Sequence, residues 1–107
     1  MLIWGSKLDK IIRDNLTINL DSLRVYIDDV LVRDMTSRMA QYLGLLASRP
    51  EKVWKYIEIY EAVFGRALAD METLKYMNKV IRKHLLRTPW TIKNVYGLGY
   101  RFERKGY

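Results

Sequence analysis

Hydrophobic and polar positions alternate with one period, then another, then return to the first. From Ile11 to Val32 the period is two: Leu16, Ile18 and Leu20 alternate with Thr17 and Asn19, and Leu23, Val25 and Ile27 alternate with Arg24, Tyr26 and Asp28. Asp14-Asn15 and Asp28-Asp29 are candidate reversals, the second one leading into Val30-Leu31-Val32. Alternation broken by Asp/Asn pairs predicts an antiparallel meander with one wet face. The period then lengthens. Met39, Tyr42, Leu43, Leu46 and Ala47 recur at three and four, which predicts a helix capped by Thr36 or Ser37 and stopped by Pro50. A second helix fits Lys55 to Phe64, with Tyr56, Ile59, Tyr60 and Val63 inward and Gly65 as its stop. After a polar link through Asp70, a third helix fits Thr73 to Arg87. Alternation returns in residues 91–102, where two short runs flank Gly97-Leu98-Gly99; a glycine on each side of Leu98 predicts a tight hairpin using positive φ.

Strands, three helices and a terminal hairpin give an α+β fold by segregation. A helix pair followed by a hairpin is the layout of a winged helix-turn-helix. Residues 1–10 read as an N-terminal extension or a non-native remnant, and 11–107 as the single domain.

Advancing about 100° per residue divides the third helix into two arcs. Leu74, Met77, Ile81 and Leu85 gather on one side, flanked by Val80 and His84. Lys75, Lys79, Arg82 and Lys83 gather on the other, with Tyr76, Arg87 and one opposing charge, Glu72. Such a face suits the major groove of double-stranded DNA, where arginine and lysine read guanine edges or neutralise phosphates and Tyr76 can stack on or hydrogen-bond to the backbone.

Composition narrows the alternatives. The chain of 107 residues has a net charge of +7, which favours phosphate-rich partners. It has no cysteine and one histidine, His84, so a thiolate metal site, a disulfide framework and a histidine-based catalytic pair are not expected, and His84 reads as a boundary residue of the core. Glu58, Glu61, Asp70 and Glu72 have no metal or acid–base spacing and read as surface charge. Trp4, Trp54 and Trp90 read as packing anchors. No apolar run reaches the roughly 20 residues needed to cross a bilayer, and Met1 to Trp4 do not open a signal peptide. A cytoplasmic protein that needs no cofactor or metal and is not an enzyme is the expectation.

From about Ile11 to Glu103 the chain resembles the OmpR/PhoB-type winged-helix effector domain of bacterial response regulators. Met35-Thr36 stands where that family has Leu-Thr, Arg49-Pro50-Glu51-Lys52-Val53 at its Asn-Pro-Gly-x-Val turn, and Val63-Phe64-Gly65 at its Val-Trp-Gly helix end. Val95-Tyr96-Gly97-Leu98-Gly99-Tyr100-Arg101-Phe102 matches its Val-Arg-Gly-x-Gly-Tyr-Arg-Phe signature. The resemblance implies that helix 73–87 enters the major groove while the wing, 91–102, reaches the adjacent minor groove or backbone. It places Met77, Lys79, Val80 and Arg82 at recognition-helix contacts, and Asn94 and Tyr96 at wing contacts. Three positions depart from the pattern: Tyr96 replaces the wing's usual arginine, Val80 a commonly basic residue, and Glu72 an arginine that often anchors phosphate. Alternation puts Lys93 on the other side of its strand from Asn94 and Tyr96.

The resemblance also associates the loop Gly65 to Met71, with Arg66, Ala67 and Leu68, with RNA polymerase contact, and suggests homodimers on direct-repeat half-sites. A receiver domain has no room here, which makes the chain either an excised effector domain or a stand-alone protein. The competing reading is a winged-helix module that binds polymerase or another regulator with little DNA specificity.

Overall fold

The computed structural model of the protein describes residues 9–65 and 70–106. Its first feature is the expected meander: β1 (Lys10–Arg13), β2 (Leu16–Asn19), β3 (Arg24–Ile27) and β4 (Val30–Leu31) pair antiparallel in that order. Ile11, Leu16, Ile18, Val25 and Ile27 supply the buried face. Asp28 and Asp29 both adopt positive φ, 54° and 65°, as a two-residue type I′ reversal requires. Aspartate tolerates this region better than bulkier residues do.

Helix α1 (Ser37–Ser48) settles the choice of cap: the Thr36 hydroxyl accepts from the Met39 amide at 3.2 Å. Its inward residues Met39, Tyr42, Leu43, Leu46 and Ala47 are those expected from periodicity. Arg13 Nε donates to the Ala47 carbonyl at 3.1 Å, tying the end of β1 to the last helical turn.

Several boundaries differ from the sequence reading, among them the end of the third helix, which stops at Leu85 rather than Arg87 because the chain turns off through Leu86. The stretch after Pro50 contains a strand, β5 (Val53–Lys55), and helix α2 (Tyr56–Ile59) begins only after it. Three residues are too few for alternation to register; β5 exists because it pairs with a strand almost fifty positions downstream. The α2 segment continues as a π-helical turn, Tyr60–Phe64, and ends at Gly65 with φ 73°. Helix α3 (Met71–Leu85) starts earlier than expected because Asp70 is its cap, accepting from the Glu72 amide at 3.0 Å.

Strands β6 (Trp90–Val95) and β7 (Gly99–Arg104) form the terminal hairpin, and β5 adds to β7 to give the order β5-β7-β6. One core joins both sheets and the helices, with Ile18, Tyr42, Leu46, Ile59, Leu74, Ile81 and Phe102 fully buried. Trp90 stacks on Phe102 at 4.7 Å between ring centroids and is a packing anchor as expected; Trp54 packs half-buried against the core, and Trp4 lies outside the described residues. Within this apolar interior sits one amide that periodicity did not flag. Asn78 accepts from the Tyr42 hydroxyl at 2.7 Å and donates to the Leu74 carbonyl at 3.1 Å, so α3 is pinned to α1 by a satisfied polar pair. Burial pushes the Tyr42 phenol well above its ordinary pKa, and the Tyr100 phenol also upward. Among the described residues no helix is long and apolar enough to cross a membrane.

Candidate nucleic-acid interface

The third helix separates its faces as its periodicity dictates. Leu74, Met77, Ile81 and Leu85 are buried, while Lys75, Tyr76, Lys79 and Lys83 are exposed along one arc. Glu72 lies 3.8 Å from Lys75 on the solvent side and offsets part of that arc's charge. Met77 is a correction: at 3% exposure its side chain belongs to the core and is not presented to a partner. The reason is angular, since Met77 follows Leu74 by three positions and precedes Ile81 by four. Val80 is half-buried at the flank.

Arg82 sits at the junction of helix and wing. It is half-buried, and its Nε donates to the Ile92 carbonyl at 2.9 Å, which joins α3 to the wing's outer strand. The planar guanidinium carries further donors beyond the one used there. The helix's far end is also held, because Lys105 Nζ donates to the Leu85, Leu86 and Thr88 carbonyls at 3.0, 3.3 and 2.7 Å. His84 is half-buried with Nε2 2.6 Å from Asp34 Oδ1, the boundary position expected of it.

The wing's reversal depends on its two glycines for different reasons, and one departs from expectation. Leu98 N donates to the Val95 carbonyl at 2.9 Å, and Gly97, third in that turn, has φ 77°. Positive φ at this turn position is a glycine requirement. Gly99, by contrast, lies in strand β7 without positive φ. A Cβ there would come within 1.8 Å of the Trp54 carbonyl oxygen, so the residue is glycine because β5 passes too close for any side chain.

Past the core, Asn94 and Tyr96 are exposed, and so is Lys93. Asn94 shares a β6 face with Ile92, the residue that accepts from Arg82, whereas Lys93 takes the other face. Lys55 is a cation the sequence reading passed over. It is exposed and pairs in register with Gly99 beside the wing tip. Only the unrecognised strand β5 would have signalled that position. The Lys55 amide donates to Glu58 Oε1 at 2.8 Å, and that hydrogen bond, helped by the charges of Lys52 and Lys55, holds the Glu58 carboxyl below its ordinary pKa. The polymerase-contact residues Arg66, Ala67 and Leu68 lie outside the described residues. Among the described residues no group of acidic, histidine or cysteine side chains could hold a metal ion.

The arrangement of sheet, helices and terminal hairpin is shared with known proteins. Residues 32–102 match the family model described as "Transcriptional regulatory protein, C terminal". The chain belongs to that family, the OmpR/PhoB-type DNA-binding domains. Members are transcription-regulatory domains rather than a class of enzymes. Comparison with curated protein sequences yields no match. Among solved structures, the chain is similar to the DNA-binding domain of CpxR from E. coli, with TM-score 0.76, 20% identity and 91% and 98% of the two chains covered. It is similar to the C-terminal effector domain of BfmR from Acinetobacter baumannii, with TM-score 0.69, 27% identity and coverage of 92% and 95%. It is also similar to the Klebsiella pneumoniae RstA DNA-binding domain, solved in complex with the RstA box, with TM-score 0.72, 22% identity and coverage of 88% and 96%. These likenesses give the winged-helix fold.

Proposed function

We propose that this domain regulates transcription by binding double-stranded DNA sequence-specifically, with α3 in the major groove and the β6–β7 wing on the adjacent minor groove or backbone. One observation carries the reading: Lys75, Lys79 and Lys83 are exposed along one arc of the helix that Arg82 fastens to the wing. The structure of RstA with its box supports it by analogy of fold. Lys75, Tyr76, Lys79 and Lys83 are assigned to phosphate and base contacts from α3, with Arg82 at the helix–wing junction and Asn94 and Tyr96 on the wing. Exposed Lys55, beside the wing tip, and Lys93, on the other face of β6 from Asn94, add positive charge to the wing region. Met77 drops out of this set and acts through packing. The place of action is the cytoplasm, where the duplex is reached without crossing a membrane.

Mobility-shift titration of a duplex selected from a random pool, repeated at several salt concentrations, tests the proposal. The logarithm of the binding constant should fall linearly with log salt, and Lys79→Ala should shallow the slope by about 0.9, the value of one phosphate contact. No retardation of any duplex at low salt overturns it.

A further inference from the structure

Tyr96 is the most exposed of the large apolar side chains among the described residues, at 96% accessible, and Leu98, two residues on, is 53% accessible. Single exposed apolar residues are ordinary. These two differ in being presented rigidly at the end of a projection. The Leu98 amide is bound to the Val95 carbonyl, Gly97 fixes the reversal, and the Leu98 carbonyl accepts from the Tyr56 amide at 3.2 Å, which ties the tip to α2. The tip itself, residues 96–98, carries no charge, yet exposed Lys93 and Lys55 stand behind it and the wing joins the cationic arc of α3 through Arg82 and Ile92. A polyanion drawn to those cations meets an uncharged aromatic and aliphatic point.

We propose that Tyr96 and Leu98 act together as an apolar wedge that enters the DNA minor groove and partly unstacks a pyrimidine–purine step, making the flexibility of that step a determinant of where the domain binds. The inference rests on the DNA-binding reading above. Apolar side chains driven between base steps kink a duplex, and TA and CA/TG steps yield most easily. The phenol hydroxyl can also donate to the acceptors that A·T pairs present on the minor-groove floor. A narrow A-tract, whose attraction is for inserted cations, offers this tip no such advantage.

The test uses the 107-residue chain and its selected duplex, with 2-aminopurine in turn at each adenine of the segment beside the major-groove site. Binding should raise fluorescence at one pyrimidine–purine step. Tyr96→Ala should abolish that rise and weaken binding about tenfold while leaving the salt slope unchanged. Tyr96→Phe should keep the rise, and Tyr96→Arg should lose it while steepening the slope by about 0.9. Replacing the step with a purine–pyrimidine step should weaken the wild type but not Tyr96→Ala. If Tyr96→Ala binds as tightly as wild type while Lys79→Ala remains weakened, the wedge is refuted and DNA binding stands. The wedge is likewise refuted if Tyr96→Ala loses only capture by RNA polymerase. If neither wild type nor variant shifts any duplex, both readings fall.

Discussion

The turn between β1 and β2 and the turn at the wing tip are both short reversals of antiparallel pairs, but their side chains face opposite ways. At the first, Asp14 Oδ2 accepts from Trp90 Nε1 at 2.8 Å and from Arg104 Nη2 at 3.0 Å, while the Arg104 guanidinium lies 4.5 Å from the Trp90 ring. Its neighbour Asn15 donates to the Arg87 carbonyl at 2.9 Å and to Asp28 at 3.1 Å. That turn is bonded inward to the base of the wing and to the chain leaving α3. At the wing tip the main chain is equally fixed, yet Tyr96 and Leu98 point into solvent. One reversal thus braces the root of the wing, which allows the other to be firm in backbone and bare in side chain. Firmness without side-chain satisfaction is what a contact surface needs, since it lowers the ordering cost of binding.

The comparison is broken most severely at Gly99. Gly99→Ala should destabilise the domain by about 3 kcal/mol or more, read from urea unfolding, because the new Cβ meets a carbonyl that belongs to a paired strand and cannot step aside. Next in size, Asp14→Ala should cost about 2 kcal/mol by stranding the Trp90 indole N–H and unpairing Arg104. Gly97→Ala has open space around it and should cost only about 1 kcal/mol, the penalty of positive φ alone. Tyr96→Ala should stay within about 0.5 kcal/mol of wild type in the same assay. Equal losses for Asp14→Ala and Tyr96→Ala would erase the distinction between braced and bare turns. Glu58→Gln, at the cap that supports the wing tip from the α2 side, should have an effect that is small and depends on pH. The native carboxyl is held below its ordinary value, so its stabilisation is present above that value and is lost as pH falls through the lowered one. Glu58 keeps 40% of its side chain accessible and is partly screened by solvent, so the variant should be less stable by about 0.5 kcal/mol at pH 7 and indistinguishable from wild type in acid, by thermal melts across the range.

Much of this was legible because the signals were local. The meander followed from alternation between aspartate reversals, α1 from its period and its Thr36 cap, and the wing from its glycines. What escaped was set by contacts distant in sequence. Strand β5 has only three residues and takes its identity from β7, so Lys55 could not be placed beside the wing, nor Gly99 be given its reason. Asn78 was not singled out, because the Tyr42 hydroxyl that satisfies its buried oxygen lies 36 positions away. The resemblance assigned Met77 to a contact, whereas its angle on the wheel already put it among the core residues.

The fastening of α3 has an evolutionary corollary. Asn78 fixes the helix from beneath, Lys105 from its far end and Asp70 from its start, and none of the three lies on the exposed arc. If positions 75, 76, 79 and 83 read the operator as proposed, they can be exchanged for a different one without loosening the scaffold that aims them. Arg82, shared between wing and helix, is where retargeting and foldedness would collide.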